Sequence, residues 1–470
     1  MSFADFPLDV VLELTKELDL EDALHLAATC SLCAQVLQSP SFWISALTRM
    51  DRINRIPLPC VPGTKLAGLS LESLREMAAH AFKLHRRWSS PAPLPESCRT
   101  FHMSTALDVS DFHAIEGARM VVTVSLNRIA CWGADSGKCL GFCESDYRLE
   151  SEINPWRNSV SSPFVSSGMS YIGLASCSNT QVKFTIVRVD HRNPAAVTVS
   201  NLFSKAWIRP ANPRLSCVMV NAHTIGAVIE ENGGSLASSL VFCRLRDGLL
   251  HQCPFPMNTS TQVIISDGLA ADEDFLVIGH SFLSSGPIFS LSTAPSGELL
   301  AHELVLPMAG TPDEPQASSI GACNVRQPTY GVLNVTKRRT RAGNDLSQSS
   351  GLVARLHFWP AEYRNSRLKL GSIVSFQHPV HTSFGSMVVG SSGTRVIIRG
   401  DQNKVELGLV HYISDPTPRV EFRPLPVPGE IQEFLGGARF HYALDDRLGI
   451  LYAMSDNDGQ TPRMAVVSYV

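Results

Sequence analysis

The sequence predicts a small all-α module at the N-terminus followed by a long all-β domain, read as a β-propeller with seven blades preferred. Three observations lead there. Apolar residues recur at helical spacing as far as Trp88 and not beyond. From about residue 100, short apolar runs alternate with Gly, Pro, Asn and Ser, the pattern of many short strands. Residues 100–470 are too many for one ordinary sandwich, and they carry a weak repeat at blade length.

The helical elements come first. Phe6-Pro7 opens a helix, because a first turn has no use for the N–H that proline lacks. Val11, Leu14 and Leu18 follow at helical spacing, and Asp19 stands where it can cap a second helix. That helix is expected to run through Leu26, Cys30, Cys33 and Leu37 on one face. Ser39-Pro40 starts a third, holding Phe42, Trp43 and Leu47. Residues 51–69 are a Pro- and Gly-rich connector, and Ser70 caps a longer helix striped by Leu71, Leu74, Ala78, Ala81, His85 and Trp88. Ser89–Pro93 breaks it. The division is therefore 1–50 for the helical module, 51–99 for the linker and connecting helix, and 100–470 for the β domain.

The repeat in the β domain is a strand, a small polar turn ending in Gly, and a second apolar start. It occurs at Arg128–Leu140, Leu240–Leu250 and Ile288–Leu300, with glycines at 137, 248 and 297 supplying the positive φ of a tight hairpin. At roughly 40–50 residues per blade, these lie about two blades and then one blade apart. Lys337–Gly351 is expected to be a mobile loop within one blade.

Composition narrows the function. The chain has 470 residues and a formal net charge of −3, which argues against binding nucleic acid through a whole-molecule basic surface. No apolar run is long enough for a transmembrane helix, and Met1–Asp5 does not open like a secretory signal, so a cytoplasmic or nuclear protein is expected, with no membrane partner. The 12 cysteines then read as reduced thiols. Residues 1–50 are acidic, and residues 51–100 reverse the sign.

The first fifty residues also carry too much apolar surface for their size. Leu8, Val10, Val11, Leu12, Leu14, Leu18, Leu20, Leu24 and Leu26 cover more than one helical face, with no metal cage or disulfide pattern to compensate. A second protein is the natural cover for the surplus. The segment resembles the F-box. Phe6-Pro7-Leu8-Asp9-Val10 stands for the opening of the motif. Glu13-Leu14, Leu18, Asp19-Leu20 and Asp22-Ala23-Leu24 follow in register, Thr29–Cys33 occupies the Val-Cys-basic slot, and Ser41-Phe42-Trp43 matches the closing aromatic. Phe6, Thr29, Ser31 and Cys33 depart from the usual residues. With its helix and divergent repeats, the whole chain looks like a fungal F-box protein with a WD-repeat-like β-propeller.

The resemblance implies a substrate receptor of an SCF-type cullin ubiquitin ligase, a non-enzyme in which the F-box docks the adaptor subunit, and through it a cullin, while the propeller binds an unknown protein target. The adaptor would be met by Phe6, Pro7, Val10, Leu14, Leu18, Leu20, Leu24, Cys30 and Trp43. The alternative is an interaction scaffold that uses the same module outside a ligase. A candidate target-binding patch is Arg338, Arg339 and Arg341, since arginine forks suit phosphate or carboxylate groups. No cofactor and no metal site is expected. Cys30 and Cys33 have zinc-like or redox-like spacing, but no second pair complements them, and they read as core packing. Trp132, Trp207 and Trp359 read as blade packing. His280-Ser281 after Gly279 is an incomplete nucleophile elbow, because Leu283 replaces the last Gly.

Overall fold

The computed structural model describes residues 7–52, 54, 56–103, 109–125, 128–145, 158–161, 163–177, 181–208, 213–220, 222–231, 238–246, 248–255, 261–265, 275–279, 288–293, 299–304, 331–339, 350–358, 369–377, 387–390, 395–399, 407–413, 419–435, 440–455 and 461–470. Helix α1 (Leu8–Thr15) starts directly after Pro7, and α2 (Leu20–Ala27) starts after Asp19, which sits extended at the cap position without a side-chain cap bond. The expected continuation of α2 through Cys30 and Cys33 does not form. The chain breaks at Ala28–Cys30 and restarts as α3 (Ser31–Val36). The Thr29 hydroxyl donates to Leu26 O at 2.7 Å and closes the end of α2. Cys30 is extended (φ −156°, ψ 163°), and its sulfur accepts the Cys33 N–H at 3.4 Å. Helix α4 (Pro40–Arg52) begins at Pro40.

Ser70 caps α5 (Leu71–Trp88), with its Oγ accepting the Ser73 N–H at 3.1 Å. The inward stripe is Leu74, Ala78, Ala81, Leu84 and Trp88, so Leu84 rather than His85 carries its last turn inward.

Beyond α5 the described residues form seven antiparallel sheets. They cover 109–144, 158–208, 213–255, 261–304, 331–377, 387–425 and 440–468. Within the first, third, fourth and sixth, the strands pair in chain order, each next to the one before. The first strands of neighbouring sheets meet: Val109–Ile115 beside Phe440–Asp445, Pro213–Val220 beside Thr261–Ile265, and Met387–Val389 beside Phe440–Asp445. The last sheet is completed from the other end of the domain. Ser97–His102 pairs with Arg463–Ser468, from Ser97 opposite Ser468 to His102 opposite Arg463. Consecutive meanders with their first strands together, closed by one strand from the start of the domain, make this a β-propeller-type domain.

The three repeat hairpins are each the third and fourth strands of their own sheet, the first, third and fourth in chain order. Gly137 and Gly248 both have φ +63° in those turns. Two expectations are corrected. Lys337–Arg339 is not loop. The strand Gly331–Arg339 continues through it, with Lys337 opposite Leu352 and Arg339 opposite Ser350. Backbone pairing is indifferent to the charge of the side chains, so the basic run stays in the ladder. Among its described residues the β domain also holds a helix, α6 (Gly429–Leu435), where only strands were expected.

Candidate docking surface and its anchorage

The helical module has its own core. Val11, Leu20, Ala23, Cys33, Val36, Phe42, Trp43, Leu47 and Met50 are buried together with Leu74, Ala78 and Ala81 of α5. Trp43 is fixed there by three contacts. Its Nε1 donates to Leu37 O at 2.9 Å, its ring meets Phe42 edge-on at 5.1 Å, and the Arg75 guanidinium lies 5.9 Å from its centroid.

Four large apolar side chains of α1 and α2 stay exposed beside that core. In α1, Val11 and Thr15 turn inward, while Val10 and Leu14, four residues apart, turn outward with Leu8. Leu8 and Val10 are 37% exposed, Leu14 is 45% exposed, and Leu24 of α2 is 37% exposed. Asp9, Glu13, Glu17, Glu21 and Asp22, all exposed, stand among them. Glu13 is engaged by Lys16 on the surface.

The residues marked for adaptor contact thus divide. Pro7, Val10, Leu14 and Leu24 are exposed. Leu18 and Cys30 are half-buried. Leu20 and Trp43 belong to the core, where they support the module from inside. Phe6 lies outside the described residues. Of the basic patch, Arg338 and Arg339 lie on the strand Gly331–Arg339, and Arg341 lies outside the described residues. Trp132 is wholly buried and donates to Thr123 Oγ1 at 2.9 Å. Trp207 packs on Phe184 with centroids 5.6 Å apart. Trp359 and His280-Ser281 lie outside the described residues. Among the described residues no group of His, Cys, Asp or Glu has the makings of a metal site, and no helix is long and apolar enough to cross a membrane.

Sequence reasoning missed how firmly this module is joined to the β domain. The second half of α5 leaves the helical core and enters that of the last two sheets, where Leu84 and Trp88 pack with Leu444, Leu451, Val467 and Tyr469. The Trp88 and Tyr469 rings are 5.1 Å apart. The buried Arg395 lies 5.6 Å from the Trp88 ring and pairs with the buried Asp446 at 3.4 Å. Arg423 donates to Trp88 O at 3.0 Å and Ser90 O at 2.7 Å, so the segment meant to separate two domains is bonded into one of them.

The connector is tied down as well. Arg447, paired with Glu116 in the interior, donates to Leu58 O at 3.5 Å. Ser167 N donates to Pro62 O at 3.1 Å. Asp445 beside them accepts the Gly117 N–H at 2.8 Å, and burial, with Glu116 nearby, pushes its carboxyl up to about 7. The helices that bear the exposed side chains are therefore packed on a support bonded into the β domain.

No family model matches the chain, and no curated protein does. Among solved structures, it is similar to the WD40 domain of SCAP from fission yeast, at 9% identity and TM-score 0.36, over 79% of this chain and 98% of that one. A chain of a mitotic checkpoint complex gives 16% identity and TM-score 0.38, over 80% and 94%. A hypothetical selenium-binding protein from Sulfolobus tokodaii gives 10% and 0.35, over 65% and 76%. Likenesses this distant carry no argument, and the fold rests on the strand order above.

Proposed function

We propose that this chain is the substrate-recognition subunit of an SCF-type ubiquitin ligase. The helical module is an F-box whose Leu8, Val10, Leu14 and Leu24 dock the adaptor, and through it a cullin. The seven sheets are seven blades, and the propeller holds a protein target. The chain itself is not an enzyme. Its contribution is to raise the local concentration of target at a reactive thioester carried by other subunits, which turns a bimolecular encounter into an almost unimolecular one. One observation supports this above the rest: large apolar side chains left exposed among acids on a module that has a core of its own. Covering it would stabilise a complex at roughly 25 cal/mol per Å² of apolar area removed from water. The acids around it would favour a partner with a basic rim.

The test is co-purification of the full chain with adaptor and cullin. Leu14→Glu should weaken adaptor binding by at least about tenfold, roughly 1.4 kcal/mol, while leaving thermal stability within about 0.5 kcal/mol because the side chain is exposed. Equal recovery of adaptor with parent and variant would end this reading. The departures at Phe6, Ser31 and Cys33 favour a second one, an interaction scaffold outside a ligase. It predicts adaptor without cullin, or neither.

A further inference from the structure

We propose that Cys30 and Cys33 form an oxidisable dithiol, a modification site at the α2–α3 junction that closes to a disulfide on exposure to a hydroperoxide. This does not depend on what the module docks. Both are free thiols. They are not spaced along a continuous helix, as the sequence suggests. Cys30 is the cap residue of α3, extended and half-exposed, while Cys33 is 1% exposed in the first turn and belongs to the module core. The Cys33 N–H points at the Cys30 sulfur at 3.4 Å.

The arrangement divides the labour. Hydrogen bonds from the Cys33 backbone and thiol hold the Cys30 thiol below its ordinary value. Burial pushes the Cys33 thiol up. The accessible sulfur is thus the more acidic of the two, and the sheltered sulfur is placed to resolve it. Residues three apart in a first turn have Cβ atoms about 5–6 Å apart, against about 3.5–4.5 Å in a disulfide. Closing the bond asks for about 1–2 Å of movement at a junction that is already non-helical. Cys131 and Cys143 make the contrast. Burial pushes their thiols up to about 12 and about 11, which leaves them inert.

The Cys30 thiolate attacks the hydroperoxide, the O–O bond breaks, and with one proton taken from water the products are Cys30 sulfenic acid and an alcohol, or water where the oxidant is hydrogen peroxide. The Cys33 sulfur then attacks the sulfenic sulfur. The S–O bond breaks, the Cys33 proton leaves with the hydroxide as water, and the S–S bond forms. The two electrons lost by the thiols reduce the peroxide.

The full chain, freshly reduced, is treated with hydrogen peroxide, alkylated with iodoacetamide and digested with trypsin. Residues 17–49 contain no internal Lys or Arg and no cysteine besides these two, so one peptide reports the pair. The expected result is that peptide unalkylated and lighter by two hydrogens, converting to a doubly alkylated form after reduction. In Cys33→Ser, Cys30 should stop at the sulfenic acid and be trapped by a dimedone probe. In Cys30→Ser, the sheltered Cys33 should stay a thiol, with peroxide consumption at the site slowed at least about tenfold. Two outcomes would overturn the proposal: Cys33 alkylated in the parent after peroxide, or Cys30 driven on to sulfinic acid with Cys33 unchanged.

Discussion

At the scale of single residues, the join between connector and propeller has little tolerance. Gly117 turns at φ +70°, and a Cβ placed on it would meet Cys60 O at 2.4 Å and Val61 N at 2.7 Å. Both clashes are with backbone, so no side chain can swing away. Gly117→Ala therefore adds left-handed strain of roughly 1–2 kcal/mol and displaces the connector. A total loss of about 2–4 kcal/mol is expected by urea unfolding, together with faster proteolysis of residues 56–64 in the folded protein. Tyr452 is the opposite case. Its hydroxyl is wholly buried and finds no hydrogen-bond partner among the described residues. An unsatisfied buried hydroxyl costs about 1–3 kcal/mol. Tyr452→Phe removes that cost and keeps the ring, so stability should hold or rise by about 1 kcal/mol. A clear fall in the same measurement would show that the hydroxyl is bonded in solution.

At the scale of elements, α5 is shared between two cores, and its two halves should fail differently. Trp88→Ala empties a site between Tyr469, Arg395 and the closing sheet, at an expected cost of about 3–5 kcal/mol. Leu74→Ala opens a cavity in the helical core instead, for about 2–5 kcal/mol. Hydrogen exchange should tell them apart, with protection lost first in the sheet of 440–468 for Trp88→Ala and first in α1–α4 for Leu74→Ala. The stripe that buries these residues was legible in the sequence, because helical periodicity needs only the spacing. What each half packs against was not, since one stripe looks the same whichever partner it meets. The break at Ala28–Cys30 was hidden for another reason. A cysteine is not among the side chains that usually cap a helix, so apolar spacing alone carried the expected helix across it. The excess of apolar residues in α1 and α2 was visible as a count. Which of them turn outward became clear only once α3 and α4 had claimed Val11 and Leu20.

At the scale of the whole molecule, repeated hairpins were readable from the glycines in their turns, two of which, Gly137 and Gly248, take φ +63°, whereas the strand that closes the last sheet was not. Ser97–His102 is an outer strand with little buried surface and no apolar run, held by backbone bonds that any sequence can make. Two buried groups, His191 just past the strand Gln181–Asp190 and Asp445 at the end of the strand Phe440–Asp445, give stability opposite dependences on pH. His191, hydrogen-bonded to Ser170 Oγ at 2.9 Å, is pushed by burial down to about 4. Between about pH 6.5 and 4 the unfolded chain takes up a proton there that the folded chain refuses, so this group removes stability as the pH falls. Asp445, pushed up to about 7, does the reverse. Between about pH 7 and 4 the folded chain holds a proton that the unfolded chain has released, so acidification adds stability. Each is worth on the order of 3 kcal/mol at full effect, and over about pH 4–6.5 the two slopes oppose and nearly cancel. Single substitutions unmask them. Asp445→Asn leaves the histidine slope, so its stability relative to the parent should fall as the pH is lowered from about 6.5 to 4.5. His191→Gln leaves the aspartate slope and should move the other way. Urea unfolding of parent and both variants across that window decides it, because titrations common to all three cancel in the differences. Differences that do not change with pH would mean that neither group titrates as its burial requires.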